Sequence, residues 1–248
     1  MRARAAVPAW LLIAGAELSM MRRSPATLIL AAVLPTALGL LIVWAENDTG
    51  RGGRGAAAGL ILVTLLALTA YTAGTTALVA RRQQFVLKRL RMSGASDAAI
   101  VAGVLTPPAL LTLLQTVVLF SIMAAAGGPA PDRPAVLAAA IAAGIVAACV
   151  LAVATAAFTG APELAQLTTS PVTLAFVGGG FWVVRTPPAD VTWLMLALPG
   201  GSVTQLARIA WPGPATGATT AIAALLLLTA AGTPLAVRIF RWDPRRET

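Results

Sequence analysis

Long apolar runs separated by short polar or basic segments organise this chain. Six runs, at about 26–44, 56–80, 98–126, 135–158, 167–184 and 215–240, approach or exceed the roughly 20 residues a helix needs to cross a hydrocarbon core. The pattern predicts an all-α membrane protein with six transmembrane helices. Pro35 marks a kink in the first span, and Pro107-Pro108 predict that the long third span is bent or partly broken. Ahead of the first span, residues 8–23 place Trp10, Leu11, Ala14, Leu18 and Met21 at helical spacing, with Glu17 and Arg22-Arg23 off that face. This reads as a helix lying in the membrane interface. Between spans five and six, two apolar pieces at 191–198 and 202–211 flank Pro199-Gly200-Gly201. Each is too short to cross, so both read as short re-entrant or interfacial helices.

Basic residues set the orientation. With both termini in the cytoplasm, the inner segments carry thirteen Arg and Lys and the outer loops only five: Arg51, Arg54, Arg133, Arg185 and Arg208. That bias is what cytoplasmic loops show. Trp44, Trp182, Trp193, Trp211 and Trp242 all fall near span ends, where an aromatic belt sits. Residues 1–16 have the outline of a signal peptide, but Pro8 interrupts its apolar core and Arg22-Arg23 hold the N-terminus inside, so retention is expected.

Composition narrows the chemistry. Across 248 residues, 58% are hydrophobic and 11% charged, too few charges to clothe a soluble domain of this size. The mean hydropathy is +0.84. There is no histidine and one cysteine, Cys149, within an apolar run, so imidazole chemistry, a disulfide framework and a cysteine metal cluster are all excluded. The net charge of +9 belongs to the membrane-facing loops and does not call for nucleic acid. The nine acidic residues lie at span ends, in loops or in the interfacial helix, which weakens a proton- or sodium-driven relay. No phosphate loop is present, so if ATP supplies the energy another polypeptide binds it. The chain reads as a non-enzyme with no cofactor of its own.

Polar residues within the spans are the candidates for a translocation path: Thr69, Tyr71, Thr72 and Thr76 in the second, Gln115 in the third, Thr169 and Thr173 in the fifth. Thr69, Thr72 and Thr76 share one face of an α-helix. The competing reading is that such hydroxyls bond to their own helix or to a neighbouring one.

The most informative segment is 81–96, Arg-Arg-Gln-Gln-Phe-Val-Leu-Lys-Arg-Leu-Arg-Met-Ser-Gly-Ala-Ser. Val86, Leu87 and Leu90 recur at helical spacing among basic residues; Ser93-Gly94 can end that helix, and Ser96 can cap the third span. A short amphipathic cytoplasmic helix can dock in a groove of a soluble partner; the plainer reading is a positive-inside loop.

Here the sequence resembles the permease subunits of ABC-2 type transporters. Leu87-Lys88-Arg89-Leu90-Arg91 matches their motif, and the likeness extends through Arg22-Arg23-Ser24-Pro25, Glu163-Leu164-Ala165-Gln166, Leu198-Pro199-Gly200 and the ending Phe240 to Arg245. It departs where the family carries an acid at Gln83 or Gln84, a glycine near Phe85 and a proline at Gly94. The resemblance implies a single transmembrane domain over 1–248, of the ABC-2 permease type, in a bacterial inner (plasma) membrane. It implies two ABC ATPase subunits as partners, carrying the ATP and Mg, and a second permease, identical or homologous. Gln84, Val86, Leu87, Lys88, Arg89, Leu90 and Arg91 would form the ATPase-coupling helix, with Leu87 and Leu90 at its centre. The implied cargo of such an exporter is a hydrophobic or amphipathic compound: a drug, an antibiotic or a lipid. A stand-alone secondary transporter and a non-transporting membrane scaffold are the alternatives.

Overall fold

The computed structural model describes residues 8–25, 29–49, 53–127, 129–212, 215, 217–240 and 242. Its elements are helices throughout, with no strand among the described residues. That is the expected outcome where lipid cannot satisfy backbone N–H and C=O groups.

Helix α1 (Ala9–Arg23) precedes α2, in which a wide π turn at Ile29–Val33 runs into Leu34–Thr49. Helix α3 (Arg54–Gln83) is the longest, and its middle, Leu66–Ala73, is again π-helical. After the short α4 (Val86–Met92) come α5 (Asp97–Ala125), α6 (Pro134–Phe158) and α7 (Pro162–Arg185). The short helices α8 (Trp193–Ala197) and α9 (Pro199–Ala210) then lead to α10 (Ala218–Ile239).

Five of these, α3, α5, α6, α7 and α10, are long and apolar enough to cross a membrane. The apolar part of α2 is the shorter stretch Ala31–Glu46. The start of the first expected span, 26–28, lies outside the described residues, as do 1–7 of the N-terminal segment. The other expected spans agree with the helices to within a few residues, the fifth beginning earlier, at Pro162. Pro107 and Pro108 do not break α5, which continues as one helix through both.

Helix α3 is the hub. Its most apolar window is 72% buried, against 17% for α10, so α3 is enclosed by the bundle while α10 keeps most of its surface on the outside. Leu226, Leu227, Leu235 and Val237 of α10 are exposed, as an apolar solvent permits. Helix α9 is the unexpected member of the core: every residue but Arg208 is buried, against α3, α6, α7 and α10. Its first turn wedges into the bundle, where a side-chain carbon on Gly200 would stand 1.7 Å from the Phe176 carbonyl oxygen and one on Gly201 1.9 Å from that of Met195. Only glycine permits that approach. Phe176 lies nine residues before the end of α7, so α8–α9 dips about 13 Å below that end at 1.5 Å per residue.

Helix α1 packs on the bundle by a face other than its apolar stripe. Ile13, Ala14 and Glu17 form the buried face against α5, while Trp10, Leu11, Leu12 and Leu18 point outward. Glu17, off the apolar stripe as expected, lies on the packed face.

Candidate functional site: the braced basic helix and the polar seams of the bundle

At one end, α3 stops at Gln83 and the chain turns through Phe85, at φ 57°, the sole left-handed non-glycine among the described residues. A β-carbon resists that conformation. Helix α4 follows at once, and Ser93 and Gly94 (φ 87°) close it as expected. Ser93 Oγ donates to the Leu90 carbonyl (2.7 Å), and Ser96 Oγ accepts from the Ala99 N–H (3.2 Å) to cap α5.

The seven coupling candidates divide into two sets. Leu87 is fully buried in the protein's own core, and Val86 and Leu90 are half-buried beside it. Gln84, Lys88, Arg89 and Arg91 are exposed, together with Phe85 (52%) and Met92 (73%). Leu87, expected at the centre of a docking surface, is instead the anchor that fixes α4 to the bundle, because its apolar side chain has a core to enter. The outward face is basic with two apolar residues.

The chain leading into that face and its far end are each tied to a neighbouring helix. Arg81 Nε donates to Glu17 Oε1 (2.7 Å), joining α3 to α1, and Arg81 Nη1 donates to Gln84 Oε1 (2.7 Å). Arg91 pairs with Asp97 (2.9 Å) at the start of α5, and its guanidinium sits 5.1 Å from the ring centre of Trp242. Beneath lies Arg82, 1% exposed, whose Nη1 donates to the Ala156 carbonyl (2.8 Å) and Nη2 to that of Thr159. It caps the C-terminus of α6, where carbonyls lack helical donors.

In the middle, most of the polar candidates join helices, while Thr76 and Thr169 bond within their own. Pro35 has no N–H to give the Ala31 carbonyl, and two of the candidates supply donors in its place. Thr69 Oγ1 donates from 3.0 Å and Gln115 Nε2 from 3.4 Å, while Gln115 also reaches the Ala32 carbonyl (3.0 Å) and Thr36 (2.9 Å). Tyr71 Oη pairs with Thr155 Oγ1 (2.9 Å) on α6. Thr72 Oγ1 donates to the Ala67 carbonyl five residues back (2.8 Å) and lies 3.3 Å from Thr173 Oγ1 on α7. Thr76 and Thr169 each bond four residues back, to Thr72 (2.9 Å) and Ala165 (2.7 Å). The π section therefore undoes the expected common face: Thr69 turns to α2 and Thr72 to α7. Thr72, Thr76 and Thr173 are half-buried, whereas Thr69, Tyr71, Gln115 and Thr169 are buried.

At the opposite end, three arginines cap three helices. Arg54 Nη1 donates to the Met123 carbonyl of α5 (2.6 Å), Arg133 Nη1 to Ile209 of α9 (2.6 Å), and Arg208 Nη1 to Val183 (2.5 Å) and Thr186 (3.1 Å) at the end of α7. Trp211, expected at an interface, is buried, its Nε1 donating to the Pro129 carbonyl (3.1 Å). Glu17, Arg82 and these three caps were not singled out by sequence; for Arg54, Arg82 and Arg133 the available signal was a position within a turn of a span end.

No curated protein matches the chain. The family model for ABC-2 family transporter proteins, in contrast, matches residues 19–238. A match over so much of the chain means that it belongs to the ABC-2 transporter family, as a multi-pass membrane component of transport and not itself a catalyst.

Proposed function

We propose that this chain is the membrane-spanning permease subunit of an ATP-binding cassette exporter in a bacterial inner membrane. It has six spans with both termini cytoplasmic, and α8–α9 re-enters the membrane from the outer side. Two separate ATPase subunits bind ATP and Mg and dock against the outward face of α4, and a second permease completes the pair. The observation that carries this reading is the seating of α4: Leu87 is buried in the core, Arg91 pairs with Asp97 of α5, and Arg81–Glu17 fixes to α1 the end of α3 that leads into it. A push on such a face moves several helices at once, whereas a loose positive loop would absorb it. The cargo is a hydrophobic or amphipathic compound (a drug, an antibiotic or a lipid). Thr72, Thr76 and Thr173, half-buried on α3 and α7, supply the polar part of its path.

The test is affinity purification of tagged protein from its native host in mild detergent, with identification of the chains that come with it. Lys88→Glu/Arg89→Glu reverses the charge of the exposed face and leaves the Leu87 anchor in place. An ATPase present with the wild type and lost from a double variant of unchanged melting temperature supports the reading. A folded wild type that brings no nucleotide-binding chain refutes it and favours a stand-alone transporter or a scaffold.

A further inference from the structure

At the end of the bundle opposite α4, a cavity of about 440 Å³ opens between the start of α3 and the end of α9. That volume falls in the range of small-molecule pockets and is far larger than a lone ion needs. Arg54 and Arg208 both line it, each using one Nη1 for its helix cap. Among the described residues neither guanidinium has a carboxylate within salt-bridge distance, so the other donors of each planar fork are available. The start of α3, behind Gly53, carries no side-chain cap and brings the positive end of a helix dipole to the same cavity. Among the described residues Glu46 is the one acid on the lining, and Pro129 and Trp211 add apolar surface.

Two fixed cations and a helix N-terminus select an anion, and phosphate oxygens match the bidentate geometry of arginine. The Glu46 carboxylate would repel a second negative charge and attract a cation close to the phosphate. We propose that this cavity binds a zwitterionic lipid headgroup, with the phosphate on Arg54 and Arg208 and the ammonium toward Glu46. The acyl chains lie along the exposed apolar surface outside the bundle. The site does not depend on which compound is transported or on the ATPase partner.

The experiment is titration of purified full-length protein in detergent with short-chain phosphatidylethanolamine, short-chain phosphatidylglycerol and free O-phosphoethanolamine, read as ligand-induced shifts of the unfolding temperature. The wild type is expected to bind the ethanolamine lipid at least about threefold more tightly than the glycerol lipid. Arg54→Gln weakens both by about tenfold, the loss of one charge-assisted contact. Arg54 also caps α5, so the decisive variant is Glu46→Gln, which breaks no hydrogen bond or ion pair recorded for Glu46. It should abolish the preference for ethanolamine while keeping phosphatidylglycerol binding. A wild type that binds neither lipid, or a preference unmoved by Glu46→Gln, overturns the site. Equal affinity for free O-phosphoethanolamine overturns its assignment to a lipid.

Discussion

Substituting single glycines by alanine should distinguish a wedge from an ordinary helix contact. On Gly200 the new methyl carbon would sit 1.7 Å from the Phe176 carbonyl oxygen and 2.5 Å from its carbonyl carbon. Both are backbone atoms of α7, so no side-chain rotation relieves the overlap and α8–α9 must back out. Overpacking of well-filled cores costs about 1–3 kcal/mol, and an unyielding backbone contact belongs at or above the top of that range. Gly178, on α7 itself, has nothing within 4 Å of the same added carbon. There the alanine only improves helix propensity, by about 0.5–1 kcal/mol. For a chain of this length each kcal/mol moves the melting temperature by about 2–4 °C, so Gly178→Ala should rise about 1–4 °C and Gly200→Ala fall by about 6 °C or more. The assay is built into the protein: Cys149 is its one cysteine, half-buried in α6, and a thiol-reactive fluorophore reports its exposure on heating. Equal shifts for the two variants, or a Gly200→Ala melt within about 1 °C of wild type, would refute the insertion of α8–α9 into the bundle.

The same melts test three more points. Phe85→Gly should raise stability by about 0.5–1 kcal/mol, because it removes a left-handed β-carbon while a half-exposed ring gives up little packing; a lower melting temperature would mean that the ring matters more than the strain. Arg82→Met keeps an apolar stem and leaves the Ala156 and Thr159 carbonyls without these donors, an expected loss of about 2–4 kcal/mol, with Arg82→Lys intermediate. Thr69→Val and Gln115→Leu should each cost about 1–2 kcal/mol, and the double variant more than their total, since the second change removes the last recorded side-chain donor to the Ala31 carbonyl. Strict additivity in that cycle would count against a shared role.

The sequence made helix positions legible and helix faces illegible, for one physical reason. Length and apolarity decide whether a segment crosses lipid, so the bounds of α3, α5, α6 and α10 could be read within a few residues. Which side faces inward is a different matter, because lipid is as apolar as leucine and exerts no pull that sorts apolar residues to the core. Hence α1 turns Trp10 and Leu12 outward and buries Glu17. The π section of α3 was hidden as well: nothing local in 66–73 announces it, and it sends Thr69 and Thr72 to different neighbours. The end of α4 was readable from Ser93, Gly94 and Ser96, whose chemistry is local. The inward turn of Leu87 was not, because an amphipathic helix displays the same spacing whether its apolar face meets a partner or its own core.

The arginines carry the remaining lesson, which bears on orientation. On the proposed six-span arrangement with both termini cytoplasmic, counting charges gives thirteen basic residues on the α4 side and five on the other. Arg54, Arg133 and Arg208 account for three of those five, and each is committed to carbonyls at a helix C-terminus. Their free energy comes from donors supplied to the ends of α5, α9 and α7, whichever way the chain is inserted. On the α4 side Arg82 is of the same kind. Setting the caps aside leaves twelve against two, Arg51 and Arg185, a bias far steeper than the raw count. The apparent exceptions to a positive inside are thus structural residues placed where helices end. A reporter fused after residue 248 should accordingly be active only as a cytoplasmic fusion; an active periplasmic reporter at that point would reverse the orientation and move the lipid-headgroup cavity to the inner leaflet.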